Sequence, residues 1–505
     1  MPQPTADMLA SLGIAAPPGL PPSLTGVTSD SRQVRTGMLY AALPGSKTDG
    51  RAFIADAVQA GAAAVLAPLG TVWPEGVPPR PLILDAEPRR ALARLAALAA
   101  GPQPQTIVAI TGTNGKTSTA DFLRQIMRAA GLRVASIGTL GVVHPDGATE
   151  PGLTTPDPVT LANTLARLAR EGVEAAALEA SSHGLDQCRL DGVSLAAAGF
   201  ANLTHDHLDY HGTMEAYRAA KLRLFTTVLP ERAPAVASTA LDAATLEALQ
   251  DIAIRRHLDL RLVGEGGTAI RLLATTPHAG GQALHLDVAG TIRDVDLPLP
   301  GCFQADNALL AAALAEAVGI PDPLTHLPFL QGVRGRMERV AEFGGAAAYV
   351  DYAHTPDALE RLLNALRPHT AGRLILVFGA GGDRDRAKRP LMGAAARLAG
   401  IAIVTDDNPR SEDPAAIRAA VRAGCPEALD IGDRAQAIAA GLEMLRPGDI
   451  LAVAGKGHET GQTIAGVTHP FDDAEVIRAF VFPPPFLVGV GDARRRPIAQ
   501  ASQTS

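Results

Sequence analysis

Thr106-Ile107-Val108-Ala109-Ile110 runs into Thr111-Gly112-Thr113-Asn114-Gly115-Lys116-Thr117-Ser118-Thr119, and the rest of the chain is read outward from here. The apolar, β-branched run predicts a buried parallel strand, and the glycine-bearing segment after it a tight turn. Residues Ala120 to Ala130 continue at helical spacing, with Phe122, Leu123, Ile126 and Met127 on one face. Strand, glycine turn and helix together cradle phosphate. Backbone N–H groups and the helix N-terminus face the anion, Lys116 adds a positive charge, and Thr117 offers a hydroxyl to Mg²⁺. The full P-loop pattern has a glycine six residues before the lysine, where this chain has Ile110. An ordinary strand-to-helix turn is the alternative, and the flanking strand and helix weigh against it.

At 505 residues the chain has room for about three domains. A hydrophobic fraction of 47% supports several cores. With 45 basic against 52 acidic residues, a net charge of −7 and no basic block, nucleic acid is disfavoured as the main partner. Cys188, Cys302 and Cys425 are odd in number and far apart, which excludes a disulfide framework and a cysteine zinc site. Met1-Pro2-Gln3-Pro4 lacks the basic and apolar regions of a signal peptide, and no apolar run reaches the ~18 residues a spanning helix needs. A soluble cytoplasmic protein without membrane association is expected.

An α/β chain of three domains follows from the order of apolar and polar segments: residues 1–103, 104–332 and 333–482, with 483–505 a flexible extension to which no function is assigned. In the first, Met38–Leu43 and Ala63–Leu66 read as strands, Phe53–Ala60 and Arg89–Ala100 as helices, and Gly101-Pro102-Gln103-Pro104 as a linker. The second alternates strand and helix, as a parallel sheet covered on both faces does. Its strand Ala175–Leu178 delivers Glu179 and Ser181-Ser182-His183-Gly184, and Ala196–Asn202 delivers Thr204 to His211. A helix from Tyr217 to Phe225 carries Lys221, and another runs from Asn307 to Val318. In the third, strands ending at Val350, Phe378, Val404 and Ala454 each empty into polar residues, the pattern of a second doubly wound domain with its site along one sheet edge.

Glu179 and Thr117 are oxygen donors suited to Mg²⁺, and His207 is a less usual ligand for it. The histidines His205, His207 and His211 raise Zn²⁺ as an alternative, disfavoured without thiolates. His205 and His211 read as loop surface. Lys221, beside Ala219 and Ala220, reads by default as a solvated helical lysine. Arg384, Asp407, Asn408, Arg410, Gly455 and Glu459 offer both charges at strand ends. They suit a zwitterion, arginine for a carboxylate and carboxylates for an ammonium, or else form a surface salt-bridge cluster. A magnesium-nucleotide enzyme with a separate small-molecule site, a ligase or kinase, is the bottom-up expectation.

With these residues in hand, the chain resembles the Mur ligase family from about Ser23 to Glu475, and within it the diaminopimelate-adding members. The resemblance is carried by Thr111–Thr119, Leu153-Thr154-Thr155-Pro156, Glu179–Leu185, Asn202–His211, Tyr217–Lys221, Gly335-Arg336-Met337-Glu338, Asp351–Pro356, Gly381–Met392, Asp407-Asn408-Pro409-Arg410 and Gly455–Glu459. It implies an N-terminal UDP-substrate domain, a central P-loop-type ATPase domain and a C-terminal Rossmann-like domain. ATP would lie on Gly112, Thr113, Asn114, Gly115, Lys116, Thr117 and Ser118, with Asn307, Arg336, Asp351 and His354 also contacting the nucleotide. Mg²⁺ would be bound by Thr117, Glu179, His207 and a carbamylated Lys221, and Lys116, Glu179, His207 and Lys221 would serve catalysis. UDP-N-acetylmuramoyl-L-alanyl-D-glutamate would meet Ser31, Thr154, Thr155, Ser181, Gln187 and Arg189. Meso-diaminopimelate would meet Arg384, Asp407, Asn408, Pro409, Arg410, Gly455 and Glu459.

The implied chemistry is amide synthesis through an acyl phosphate, by a monomer. The Asp-Asn-Pro-Arg run marks diaminopimelate rather than lysine, because Arg410 can clamp a carboxylate that lysine lacks. Alternatives are addition of L-lysine or another diamino acid, a folylpolyglutamate-synthase-like activity, or a nucleotide-binding switch. The amino-acid-like charge cluster argues against the switch.

Overall fold

The computed structural model describes residues 5–45 and 48–482. The expected extension from residue 483 lies outside the described residues. Compactness divides the chain into two units. Among the described residues, one holds the chain up to Leu272 with Asp287–Thr291 and Asp306–His326; the other holds Leu273–Leu286, Ile292–Ala305 and the chain from Leu327 onward.

The first unit holds two α/β layers. Strands β1 (Val27–Thr28), β2 (Leu39–Ala41), β3 (Ala64–Pro68) and β4 (Leu82–Asp85) form a parallel sheet in sequence order. Its core is shared with the helix Pro88–Ala100 through Ala91, Leu92 and Leu95. The chain then enters β5 (Thr106–Thr111), β6 (Val134–Gly138), β7 (Gly141–Val143), β8 (Thr149–Glu150), β9 (Ala175–Glu179), β10 (Ala197–Phe200), β11 (Pro234–Ser238) and β12 (Asp259–Gly264). Their spatial order is β12-β11-β10-β5-β9-β6-β7-β8. Strand β5 therefore sits between β10 and β9, parallel to both. All five residues of β9 are buried, the apolar run Ala175–Leu178 as a strand covered on both faces requires, and Glu179 with it. Because β5, β9 and β10 are parallel neighbours, the polar segments after all three emerge along one edge, where open α/β sheets bind ligands. Three further strands follow in the chain, β13 (Ile270–His278), β14 (Gly281–Val288) and β15 (Thr291–Leu297), with most of their residues in the second unit.

The helix after the glycine turn spans Lys116–Ala129, one turn earlier than the apolar spacing predicts. Lys116 to Thr119 carry no apolar periodicity, so the pattern hid the first turn. The helix with Lys221 spans Met214–Arg223 and passes into a π-helical turn, Leu224–Val228.

In the second unit, β16 (Glu338–Phe343), β17 (Ala346–Asp351), β18 (Leu374–Phe378), β19 (Ile401–Val404), β20 (Leu429–Asp430) and β21 (Ile450–Ala454) form a sheet ordered β16-β17-β21-β18-β19-β20. All pairings are parallel except β16 with β17. The four anticipated strands are its centre, and β16 and β20 are edges the pattern did not reveal. A hairpin, β22 (Gly461–Ile464) with β23 (Val467–Pro470), was also not anticipated. No helix among the described residues is long and apolar enough to cross a membrane.

Candidate active site

In the first unit the turn after β5 is held from several sides. Gly115 has φ +79°, and a Cβ there would stand 2.2 Å from Asn307 Oδ1, so backbone conformation and space both require glycine. The Asn114 N–H donates to Asn202 Oδ1 at 2.9 Å, and Asn202 Nδ2 donates to the Asn114 carbonyl at 3.1 Å. Thr113 Oγ1 accepts from the Thr204 N–H at 3.0 Å and pairs with the Tyr217 hydroxyl at 3.1 Å. The segment after β10 thus scaffolds the turn after β5. Lys116 curls back so that its Nζ donates to the carbonyls of Gly112 (2.7 Å) and Thr113 (2.8 Å).

Lys221 is not a solvated lysine. It is 1% exposed, its Nζ donates to the same Gly112 carbonyl at 2.7 Å, and it lies over the Tyr217 ring at 4.6 Å. Burial, and then the charge of Lys116, pull its pKa well below the usual lysine value. The buried Glu179 carboxylate accepts from the Thr139 N–H at 2.7 Å and the Thr139 hydroxyl at 3.2 Å. Gly138 has to be glycine, since a Cβ there would meet Glu179 Oε1 at 2.0 Å. Nothing in the sequence pattern pointed to Gly138 or Thr139.

The segment after β9 organises a second group. Thr155 Oγ1 donates to the Glu179 carbonyl at 2.7 Å and accepts from the Ser181 N–H at 3.0 Å. Ser181 caps the helix Ser182–Asp186 by accepting from the Gly184 N–H. Arg189 donates to the Thr155 carbonyl at 2.6 Å and to Gln187 Oε1 at 2.8 Å, and Thr154 reaches Thr139 at 3.1 Å. The structure therefore joins Thr154, Thr155, Ser181, Gln187 and Arg189 in one network with Glu179. Ser31 lies apart from that network, in the 3₁₀ turn after β1 that Asp30 caps.

His207 has φ +52° and begins the short helix Leu208–His211. Its ring meets His183 edge-on at 5.2 Å and lies 6.1 Å from Tyr217. His211 corrects the surface reading: its ring packs 5.2 Å from Tyr217 and 5.5 Å from His183, and its Nε2 is buried without a hydrogen-bond partner. Burial lowers the pKa of both His183 and His211, and neighbouring histidines add to it. His205 is exposed, as expected.

Two constellations stand in the second unit. Arg336 lies over the Tyr352 ring at 4.6 Å, next to Asp351, whose carboxylate accepts from the Met337 and Ala353 N–H groups at 2.7 and 2.8 Å. His354 packs edge-on against Tyr352 at 4.6 Å. Desolvation raises the Asp351 pKa, with Arg336 and the two N–H donors opposing it.

The other gathers the residues after β19 and β21. Arg410 (φ +54°) donates through Nη1 to the Gly382 carbonyl at 2.8 Å, and its backbone N–H is held by the Thr463 carbonyl at 3.0 Å. The unforeseen hairpin thus positions the arginine. Asn408 Nδ2 donates to Glu459 Oε2 at 3.0 Å. At Gly455 (φ +119°) a Cβ would stand 2.4 Å from Asp407 Oδ2, so glycine lets the loop press against that carboxylate. Pro409 is buried, and Arg384 is exposed on the loop after β18. The arrangement is a cluster of both charges at the C-terminal ends of β21, β18 and β19, which lie side by side in that order.

Residues 23–99 match the Mur ligase family, catalytic domain; residues 110–315 the Mur ligase middle domain; and residues 335–457 the Mur ligase, glutamate ligase domain. The chain belongs to the Mur ligase family. A Mur ligase of Caulobacter vibrioides, UDP-N-acetylmuramoyl-L-alanyl-D-glutamate–2,6-diaminopimelate ligase, is 55% identical over 91% of this chain and 96% of its own. The enzyme of the same name from Rhizobium meliloti is 53% identical over 90% of this chain and 93% of its own. A solved structure bearing that name superposes with a TM-score of 0.70 at 34% identity, covering 91% of this chain and 95% of its own. The MurF ligase of Thermotoga maritima, solved with ADP, shares the Mur ligase fold at 20% identity and a TM-score of 0.57, covering 86% of this chain and 94% of its own.

Proposed function

We propose that this Mur ligase uses ATP to join meso-diaminopimelate to UDP-N-acetylmuramoyl-L-alanyl-D-glutamate, a step in making peptidoglycan precursor. The observation that carries the reading is the Asp407-Asn408-Pro409-Arg410 run, held by the β22–β23 hairpin and set beside Glu459 and Gly455. Such a cluster offers a guanidinium for a carboxylate and carboxylates for an ammonium.

ATP phosphates would lie on the turn Gly112–Ser118, where the N–H groups opening the helix Lys116–Ala129 and the Lys116 ammonium favour anions. The substrate carboxylate attacks the γ-phosphorus to give an acyl phosphate and ADP. The amine of diaminopimelate then attacks the acyl carbon, and the tetrahedral intermediate collapses to amide and phosphate. Lys116 offsets charge on the transferring phosphoryl group. Thr154, Thr155, Ser181, Gln187 and Arg189, with Ser31, would hold the UDP-sugar dipeptide. Asn307, Arg336, Asp351 and His354 would contact the nucleotide.

Thr117, Glu179 and His207 would offer a hydroxyl, a carboxylate and an imidazole. One carboxylate with a hydroxyl suits Mg²⁺, which takes one or two carboxylates and completes its shell with phosphate oxygens and water. Bound there, it would neutralise phosphate charge. The depressed pKa of Lys221 supports a further role: its neutral amine adds CO₂ and releases a proton, giving a carbamate that serves as an anionic ligand.

The test is product formation by the purified chain. With ATP, Mg²⁺, UDP-muramoyl dipeptide and meso-diaminopimelate together, mass spectrometry should find the tripeptide product, with one ADP released per amide. ATP hydrolysis without amide, or product formed without ATP, overturns the reading.

A further inference from the structure

In the loop Gly455–Glu459, Lys456 is a side chain to which the proposed function gives no task. Lys456 is fully buried, which costs desolvation that a methionine of similar length avoids. Its Nζ donates to Asn408 Oδ1 at 3.2 Å and stands 3.3 Å from Glu459 Oε2. The same Asn408 oxygen accepts from the Thr463 N–H at 2.9 Å, while Asn408 Nδ2 donates to Glu459 Oε2 at 3.0 Å.

These contacts fix which way the Asn408 amide faces. An ammonium and a backbone N–H can only donate, so the atom that meets both has to be the amide oxygen. The amide nitrogen then faces Glu459, and that carboxylate receives two donors on one oxygen. An aspartate at 408 would keep the Lys456 and Thr463 contacts and turn its second oxygen on Glu459. The circuit therefore selects an amide at 408 and an ammonium at 456 together.

We propose that Lys456 is a positioning residue for the incoming amino acid. It holds Asn408 in one amide orientation and Glu459 in one rotamer, so that the substrate meets a preset donor and carboxylate. The inference rests on the reading of this cluster as the amino-acid site. Without the ammonium, Asn408 keeps one of two donors on its oxygen and Glu459 keeps one of two on its own.

Steady-state kinetics of wild type, Lys456→Met, Lys456→Gln, Asn408→Ala and the Lys456→Met/Asn408→Ala double variant test it. Losing a charge-assisted hydrogen bond inside the protein predicts a rise of about tenfold or more in KM for meso-diaminopimelate in Lys456→Met. KM for ATP and for the UDP-substrate should stay within about twofold, since only the circuit is disturbed. Lys456→Gln, which can still donate to Asn408, should recover part of the loss. In the Asn408→Ala background, Lys456→Met should add little.

A fall in kcat with a rise in all three KM values together, no recovery by glutamine, and additivity with Asn408→Ala would mark a purely structural lysine and overturn the inference. Where Lys456→Met does not fold, Lys456→Gln with and without Asn408→Ala decides by the same additivity. A wild type that joins a different amino acid overturns the assigned substrate instead, and the same variants are then judged on that amino acid's KM.

Discussion

Lys116 and Lys221 converge on one acceptor, with both ammonium nitrogens 2.7 Å from the Gly112 carbonyl oxygen. Lys116 is half-buried and Lys221 wholly so, and the repulsion between them falls on the group that water cannot screen. Burial first, and then this repulsion, leave an amine at 221 that loses its proton far more readily than an ordinary lysine.

That depression has a sign in stability. Between the lowered folded-state pKa of Lys221 and the unfolded value near ~10.4, the unfolded chain binds more protons than the folded one, so stability contributed through this group rises with pH. Lys221→Met should therefore melt higher than wild type at pH 7, with the gap closing toward pH 10, in bicarbonate-free buffer. Its ligase rate should fall by roughly two orders of magnitude or more. Calorimetric melts across pH, alongside amide formation, check both.

A carbamate at Lys221 makes activity depend on dissolved CO₂. Enzyme stripped of CO₂ at mildly acidic pH should lose activity and regain it on addition of bicarbonate, while Lys221→Met should not respond. A stripped wild type that keeps full activity rules out the carbamate.

Gly115→Ala places a Cβ at a left-handed φ and against Asn307 Oδ1, 2.2 Å away. The conformational cost of ~1–2 kcal/mol and an overpacking cost of ~1–3 kcal/mol should lower the melting temperature and raise KM for ATP. Gly131 also has positive φ but nothing within 4 Å of its Cβ, so Gly131→Ala should show only the conformational part.

Strands β18, β19 and β21 were readable to the residue, because Leu374–Phe378, Ile401–Val404 and Ile450–Ala454 are apolar runs covered on both faces. Strands β16 and β20 were not: Glu338-Arg339-Val340-Ala341-Glu342-Phe343 breaks the polar–apolar alternation where its register shifts between Arg339 and Ala341, and Leu429-Asp430 is too short to signal. Within the site, Gly112–Thr119, Glu179 and Asp407–Arg410 announced themselves through residue type and spacing. The burial of Lys221 and Lys456 did not, since their acceptors on Gly112 and Asn408 lie 109 and 48 residues away. Thr139 was invisible for the same reason: its hydroxyl matters only because β6 lies beside β9.

Arg434 and Asp473 form a fully buried, two-pronged ion pair, at 2.7 Å for each prong, and Arg434 also donates to the Ala454 carbonyl where β21 meets the Gly455 loop. Asp473→Asn should cost about 3–5 kcal/mol in chemical denaturation by leaving a buried guanidinium without its counter-charge. Because the same guanidinium holds the root of the amino-acid loop, KM for diaminopimelate should rise in parallel.

The substrate choice is tested most directly by kcat/KM for meso-diaminopimelate against L-lysine, measured as amide formation on UDP-muramoyl dipeptide. A buried guanidinium–carboxylate pair available to one substrate and not the other predicts a preference of about a hundredfold or more for meso-diaminopimelate. That preference should collapse in Arg410→Ala. Equal or faster turnover with L-lysine in the wild type would contradict the account.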